Sequence, residues 1–426
     1  MKRNWVITAF NLVVEKFVSG GAFPKQYQGK KDGYYPFAKV ADISKLYRQG
    51  YKNIESAANF ITQTEQKELK TPIFPINTIV FPKIGEALKN NYRLITNKPM
   101  LFDNNVMGII VNQNKAVVTY IYYFLLTQDF GKLSVATTVP SVRSADIGNL
   151  QIPVPPMAEQ RRIVRKIEEL FGVIDRDIQR LTDTLEQLSQ FRQSVLQQAF
   201  SGKLYKTTNW QKCKLADIAD INPSTPIPKL SDTTKIPFLP MTAVQEESLL
   251  YKEQTALFGK VKKGYTKFKN GDILFAKITP CMENGKACIV HNLTLGIGFG
   301  FTEFHILRCS NKLISEFLYY FISQKSFRAQ AKAAMSGAVG QQRVPVSFLK
   351  ELLFSLPTLP EQQKIVDEIE KAFHAADQVQ KAVQNALEEA KKLKQSILKK
   401  AFAGELVPQD PNDKPVDLTP LKGKTK

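Results

Sequence analysis

Glu159-Gln160-Arg161-Arg162-Ile163-Val164 returns 202 residues further on as Glu361-Gln362-Gln363-Lys364-Ile365-Val366. The register then holds without a gap to Ala199-Phe200-Ser201-Gly202-Lys203-Leu204 and Ala401-Phe402-Ala403-Gly404-Glu405-Leu406, through the identities Ile167/Ile369, Phe171/Phe373, Leu185/Leu387, Ser194/Ser396 and Leu196/Leu398. A fixed period this long marks a duplicated architecture. Upstream the repeat is weaker: Tyr122-Tyr123-Phe124 matches Tyr319-Tyr320-Phe321, Ile79, Phe81, Lys83 and Ile84 match Ile273, Phe275, Lys277 and Ile278, and Tyr35-Pro36-Phe37 resembles Ile236-Pro237-Phe238. The chain reads as globule, helix, globule, helix.

Each repeated segment carries an apolar seam. Val164, Ile167, Phe171, Ile174, Ile178, Leu181, Leu185, Leu188 and Val195 follow steps of three and four, interrupted at Arg192 with Phe191 beside it. Val366, Ile369, Phe373, Val383, Leu387 and Ile397 fall at the same phases, with Ala376 and Ala390 where the first segment has Ile174 and Leu188. That heptad pattern predicts two long helices packing as an antiparallel coiled coil, large residues facing small ones. Prolines precede both segments, Thr358-x-x-Glu361 is a capping box, and Gly202 and Gly404 stand where helix C-caps belong. The competing reading is that each helix packs only on its own globule.

The predicted fold class is α+β: two mixed globules in tandem, each followed by a long helix, the pair related by a pseudo-two-fold axis. The divisions are 1–155 and 207–356 for the globules, 156–206 and 357–407 for the helices. Residues 408–426 are proline-rich and polar, which predicts a disordered tail. Strands are expected at Ile79–Phe81, Asp272–Phe275, Ala287–Val290 and Phe304–Leu307, and short helices at Val117–Leu126 and Ile314–Lys325.

Composition sets the function classes. Lys and Arg number 59 against 39 Asp and Glu, a net charge of +20, which favours a polyanionic partner through counterion release. Hydrophobic residues at 43% suit a folded, soluble chain; no stretch approaches a membrane span, and the N-terminus lacks a signal peptide's apolar core. A cytoplasmic location is expected, with four cysteines too few for a disulfide framework.

Catalytic signatures are missing. Gly296-Ile297-Gly298-Phe299-Gly300 leads into a strand, so it cradles no phosphate, and Gly285-Lys286 lacks the upstream glycine of a P-loop. Asn222-Pro223-Ser224-Thr225 reads as an Asn-Pro turn. Cys281, Cys288, His291, His305 and Cys309 lack a close C-x-x-C pair and read as core thiols and a satisfied histidine, with no metal.

Binding signals are stronger. Lys260 to Lys269 is basic with Tyr265 and Phe268 interleaved. Lys30, Lys31, Lys83, Lys89, Lys262, Lys263, Lys267, Lys277 and Lys286 are candidate DNA contacts, lysines mostly gripping phosphate. Asn90, Asn91, Arg93, Asn284, Gln341, Gln342 and Arg343 are the candidates for reading base edges, which their paired donors and acceptors suit. Arg161, Arg162, Arg165, Arg176 and Arg180 on the first helix, and Lys364, Lys371, Lys391 and Lys392 on the second, are candidates for docking a protein partner.

The doubled Pro-Pro-Met-Ala-Glu-Gln-Arg-Arg-Ile-Val and Pro-Thr-Leu-Pro-Glu-Gln-Gln-Lys-Ile-Val, each opening a long helix that ends near Ala-Phe-x-Gly, resembles the specificity subunit of type I restriction–modification enzymes. Asn270 to Lys277 followed by Thr279 to Lys286 is similar to a recurrent form of that family's target recognition domain. The resemblance implies two recognition domains, each reading half of a bipartite double-stranded DNA site, and helices that space them and dock two modification subunits. It implies a chain that is not catalytic itself and binds no cofactor. The adenine-N6 methyltransferase partners would bring S-adenosylmethionine, and restriction subunits ATP and Mg for the site-specific deoxyribonuclease; no membrane is involved. The alternative is a coiled-coil adaptor whose basic globules bind proteins or RNA.

Overall fold

The computed structural model describes residues 4–134, 140–203, 210–249, 251–338 and 340–419; Leu204 of the repeat lies outside them. The chain forms two compact units, Met1–Arg180 with Ala386–Lys426, and Leu181–Asn385. Two helices of 44 residues, Met157–Phe200 and Leu359–Phe402, each contribute to both. Their ends follow the local chemistry. Thr358 donates its N–H (2.9 Å) and hydroxyl (2.8 Å) to the Glu361 carboxylate. Gly202 and Gly404 take φ of 74° and 72°, a region costly for other residues, and Lys203 and Glu405 N–H groups close back on Gln198 and Lys400 carbonyls.

In the first unit Val106–Val111 and Thr78–Pro82 form the centre of a five-stranded sheet, flanked by Val14–Ser19 on one side and by Leu94–Thr96 and Asn53–Ile54 on the other. A three-stranded sheet places Tyr35–Ala38 between Asn59–Ile61 and Leu101–Phe102, and Val6–Ala9 pairs with Gln151–Val154 ahead of the central helix. The second unit repeats the plan. Phe304–Cys309 and Ile273–Ala276 lie between Ala219–Ile221 and Ala287–Ile289. Lys235–Leu239 lies between Gln254–Leu257 and Ile297–Gly300, and Thr266–Lys269 adds a fourth strand. Gln211–Lys214 pairs with Leu353–Leu356. The weak Tyr35/Ile236 similarity thus reflects equivalent strands, each paired in parallel with the last strand of its sheet's common part. The expected α+β class is the observed one.

The repeated Glu-Gln explains how each long helix is fastened. Gln160 is fully buried; its Oε1 accepts from Val117 N (2.8 Å) and its Nε2 donates to Lys115 O (3.3 Å) and Pro155 O (2.9 Å). Gln362 does the same with Ile314 N (2.8 Å), Lys312 O (2.9 Å) and Pro357 O (2.9 Å). A buried amide that satisfies three backbone groups locks the helix onset against the turn before Val118–Leu126 or Ser315–Ile322. About three turns further on, Tyr123 meets Phe171 edge-on at 5.7 Å, as Tyr320 meets Phe373 at 5.7 Å.

The seam is shared between two jobs. Val164, Ile167 and Ile174 join one core with globule residues such as Tyr120 and Ile152 and with Ile397, Leu398 and Ala401 of the other helix. Val195, Leu196, Val366 and Ile369 do likewise in the second unit. Ile163, Leu196, Ile365 and Leu398, off the a/d phases, are buried as well, because the stripe must be wide enough to cover both a helix and a globule. The two readings held apart in the sequence are both realised. Ile178, Leu181, Leu185, Leu188 and Leu387 are half-buried, whereas Val383 is buried.

The helix contacts run antiparallel, with the same side-chain set each time. In the first unit Lys394 sits over the Phe171 ring (4.8 Å) and pairs with Asp175. In the second, Arg192 pairs with Asp377 (2.6 Å), bonds Gln380 (2.9 Å) and lies 5.9 Å from the Phe373 ring centroid. Arg192, an interruption by heptad arithmetic, is an inter-helix clasp.

The disordered tail is corrected as far as Thr419. Leu406, Val407, Val416 and Leu418 pack on the first unit's core, Asp413 pairs with Arg162 (2.5 Å) and accepts through its carbonyl from Asn4 (3.0 Å), and Lys115 donates to Thr419 O (2.9 Å). Four apolar residues spaced through a polar run suffice to lay an irregular segment on an apolar surface, a pattern that composition averages away. Residues 420–426 lie outside the described residues.

Candidate nucleic-acid interface

The first unit disperses most of its predicted contacts. Arg93 is fully buried: it lies on the Phe130 ring (4.2 Å) and donates to the carbonyls of Asn91 (2.9 Å) and Gln128 (2.7 Å). Burial brings its guanidinium pKa down to about 10. The expectation that Arg93 reads bases is therefore corrected, since a delocalised cation stacked and enclosed in this way serves the core. Asn91 takes a left-handed φ of 54° and its Oδ1 accepts from Phe130 N (3.0 Å) and Arg93 (3.2 Å), so its amide is committed too. Asn90 is exposed and, with Asn91, lines a cavity of about 750 Å³ whose other walls include Tyr47, Tyr123, Phe171 and Lys394. Lys30 pairs with Glu65, whose carboxyl it holds below the usual range, and Lys89 pairs with Glu86 (2.9 Å). Lys83 donates to Ser19 Oγ (3.2 Å), and Lys31 is exposed.

The second unit gathers its candidates. A cleft of about 290 Å³ is lined by Asn222, Pro223, Ser224, Thr225, Tyr265, Thr266, Lys267, Lys277, Phe304 and Ile306. Phe304 and Ile306 are buried and form its floor. One wall is the Asn-Pro turn, which the interior holds rigid. Asn222 Oδ1 accepts from Ile306 N (2.9 Å), and its Nδ2 donates to His305 Nδ1 (3.0 Å), whose Nε2 donates in turn to Val344 O (2.8 Å). Arg308 grips the fully buried Asp272 through Nε and Nη2 (2.7 Å each) and extends Nη2 to Thr225 Oγ1 (2.9 Å). The satisfied-histidine reading of His305 is what the structure contains, and burial lowers its pKa.

Arg343 stands at the neighbouring rim. Its Nε (2.9 Å) and Nη2 (2.7 Å) are taken by Glu303 and its Nη1 donates to Gln341 O (2.9 Å). The guanidinium therefore has one side occupied by a carboxylate, a correction to its reading as a free fork, and the outer hydrogens of Nη1 and Nη2 remain for a further acceptor. Gln342 anchors the same loop by accepting from Thr279 N (3.0 Å) on its carbonyl; Gln341 is exposed. Lys262 is tied to Asp232 (2.8 Å), Asn284 donates to Glu246 (2.9 Å), Lys286 reaches Met241 O (3.4 Å), and Lys263 is exposed. Glu303, Asp232, Glu246 and the Arg308–Asp272 pair escaped the sequence reading. Each acid lies 30 to 40 residues from its partner in sequence, beyond the reach of any local pattern.

Of the helix cations, Arg161, Arg165, Arg176, Lys371 and Lys392 are exposed, Arg180 pairs with Asp177 (3.3 Å) and Lys391 with Glu388 (2.7 Å), and Lys364 is exposed. Arg162 is removed from that outward set because Asp413 of the tail covers it. Cys281, Cys288 and Cys309 are free thiols, with burial raising Cys288 and Cys309 to about 12. Among the described residues, no group of three or more His, Cys, Asp or Glu is placed to hold a metal ion, and no helix is long and apolar enough to cross a membrane.

Comparison with known families gives a doubled match. The family described as the type I restriction modification DNA specificity domain matches residues 3–187 and again residues 207–389. The chain belongs to this specificity-domain family. The EcoEI specificity subunit of Escherichia coli is 33% identical over 249 residues, 48% of this chain and 42% of that subunit. The StySPI specificity subunit of Salmonella potsdam is 29% identical over 289 residues, 65% of this chain and 62% of that one. The EcoBI specificity subunit of Escherichia coli is 24% identical over 431 residues, 93% of this chain and 85% of that one. The chain thus matches less than half the length of the EcoEI subunit. A chain solved in work on complex assembly and conformational transition of the type I R-M system shares the fold, with a TM-score of 0.69 over 95% of this chain and 99% of that one at 18% identity.

Proposed function

We propose that this specificity-family chain is the DNA-reading subunit of a type I restriction–modification complex. Each globule reads one half of a bipartite duplex target, and the chain itself catalyses nothing. The observation that carries the proposal is the doubled match of a DNA specificity domain to two globules of common plan and divergent sequence. Divergent surfaces on a common plan suit two unequal half-sites. The net charge of +20 favours a phosphate-rich partner. Two modification subunits dock on exposed cations of the long helices, bringing S-adenosylmethionine, and restriction subunits complete the assembly with ATP and Mg.

Exchanging residues 207–356 for the second globule of another family member tests the reading. The methylated positions in DNA treated with the reconstituted complex are then sequenced. One half of the modified sequence is expected to change and the other to persist. A change in both halves together, or no sequence preference at all, favours an adaptor with basic globules instead.

A further inference from the structure

Within the second unit's candidate cations, Lys262 and Arg343 carry ion pairs, to Asp232 and Glu303, while Lys263, Lys267, Lys277 and Lys286 carry none among the described residues. Of these four only Lys267 and Lys277 line the cleft. Lys277 is half-buried, and burial together with the nearby Arg343 pulls its ammonium pKa down against the opposing pull of Glu303. A cation desolvated without its own counterion is costly unless an anion arrives to complete it.

The remaining lining suits one kind of anion. Tyr265, Thr266, Ser224 and Thr225 line the same cleft and bring hydroxyls to it, that of Thr225 already accepting from Arg308, above a floor of buried Phe304 and Ile306. Hydroxyls and lysines around a small concavity match the acceptor oxygens of a phosphate, whereas base edges ask for amides or a guanidinium fork. The turn that carries Ser224 and Thr225 is fixed beforehand by Asn222, His305, Arg308 and Asp272, so little order is lost when an anion enters.

We propose that this cleft seats one backbone phosphodiester of the bound DNA between Lys267 and Lys277, fixing the register of the second globule on its half-site. The inference rests on the DNA-reading function proposed above. In this arrangement the phosphate draws the strand past Arg343, whose Nε edge is held by Glu303 while its outer Nη hydrogens face a further acceptor.

The test uses the full-length chain and a fluorescein-labelled duplex pool of mixed sequence, with affinity followed by anisotropy across a salt series. Lys277→Met and Lys267→Met keep the aliphatic stem and remove the charge. Lys212→Met, on an exposed strand position of the same unit, makes the same change in net charge elsewhere. Each cleft variant is expected to lower the slope of log affinity against log salt by about one, weakening binding evenly across sequences. Lys277→Arg is expected to restore the slope. Cleft variants whose slopes match Lys212→Met, while the parent binds duplex normally, overturn the phosphate site and leave the DNA-reading function standing. A parent chain that binds no duplex overturns both. Cleft variants that lose affinity for inorganic phosphate while keeping the parent's duplex salt slope mark a free-phosphate site and overturn the assignment to a strand.

Discussion

Gln362→Met isolates the device that fastens the C-terminal helix to its globule. Methionine keeps the length and much of the volume of the glutamine, so the fully buried position stays filled. What is lost is the amide that accepts from Ile314 N and donates to the carbonyls of Lys312 and Pro357. Stranding the part-buried Ile314 N–H costs about 1–2 kcal/mol, the Pro357 carbonyl adds about 1 kcal/mol, and the carbonyl of exposed Lys312 turns to water, giving roughly 2–3 kcal/mol. The chain has two tryptophans, and they report the units separately: Trp5 is buried in the first unit's core and Trp210 packs against the second's. Urea unfolding followed by Trp210 fluorescence in a Trp5→Phe background is expected to shift by that amount. Amide exchange is expected to quicken around Ile314 and to stay unchanged around Val117, whose own glutamine, Gln160, is intact. A loss under about 1 kcal/mol, or equal acceleration at Val117, would refute the reasoning that the repeated glutamine is a local structural pin.

Two further outcomes follow from the packing. Truncation after Glu405 removes Leu406, Val407, Val416 and Leu418 from the first core together with the Asp413 partner of Arg162. Four partly buried apolar side chains at about 1 kcal/mol each predict a loss of roughly 3–5 kcal/mol for the Trp5-monitored unit, with the Trp210-monitored transition unmoved. A truncated chain with unchanged Trp5 unfolding would mean the tail contributes nothing. The second outcome concerns pH. Burial lowers the His305 pKa in the folded chain below its ordinary value of about 6.5, so its contribution is complete above that value and declines as pH falls through the interval down to the folded pKa. Second-unit stability is expected to fall on acidification through that interval, and a His305→Gln variant, which can still bond Asn222 or Val344, is expected to lack this component. Identical pH profiles for the two proteins would remove His305 as its source.

How much of this was legible depends on the range over which each feature is specified. The long helices and their caps are written in adjacent residues, as in Thr358 with Glu361 and in Gly202 and Gly404 at positive φ. The strands at Thr78–Pro82 and Ile273–Ala276 announce themselves by continuous apolar runs. Whether an arginine is free to meet a ligand is settled elsewhere in the chain. Arg93 is claimed by Gln128 and Phe130, and Arg343 by Glu303, each some 35 to 40 residues away in sequence. Composition and motif counting register the cation and miss its partner. The cleft was overlooked for the related reason that its wall, Asn222 to Thr225, looks like an ordinary turn until Arg308 and His305 are seen to brace it.

The offset of 202 also explains why the helices take one register. Arg192 and Lys394 are equivalent positions in the repeat, as are Phe171 and Phe373, and Asp175 and Asp377. Each helix therefore carries both halves of the clasp, an aromatic–acid pair near its start and a cation near its end, and antiparallel packing brings the halves of opposite helices together. Apolar seams alone tolerate sliding by a heptad, because the small and large residues recur at similar phases. A slide of one heptad would take Lys394 and Arg192 about 10 Å from their acids at 1.5 Å per residue, leaving both acids facing apolar or uncharged neighbours. The energy of two such partly exposed pairs is small, about 1 kcal/mol each at most. Their effect lies in the difference between registers, where both are lost at once, and a polar contact on an otherwise permissive seam is the best-attested way to make that choice.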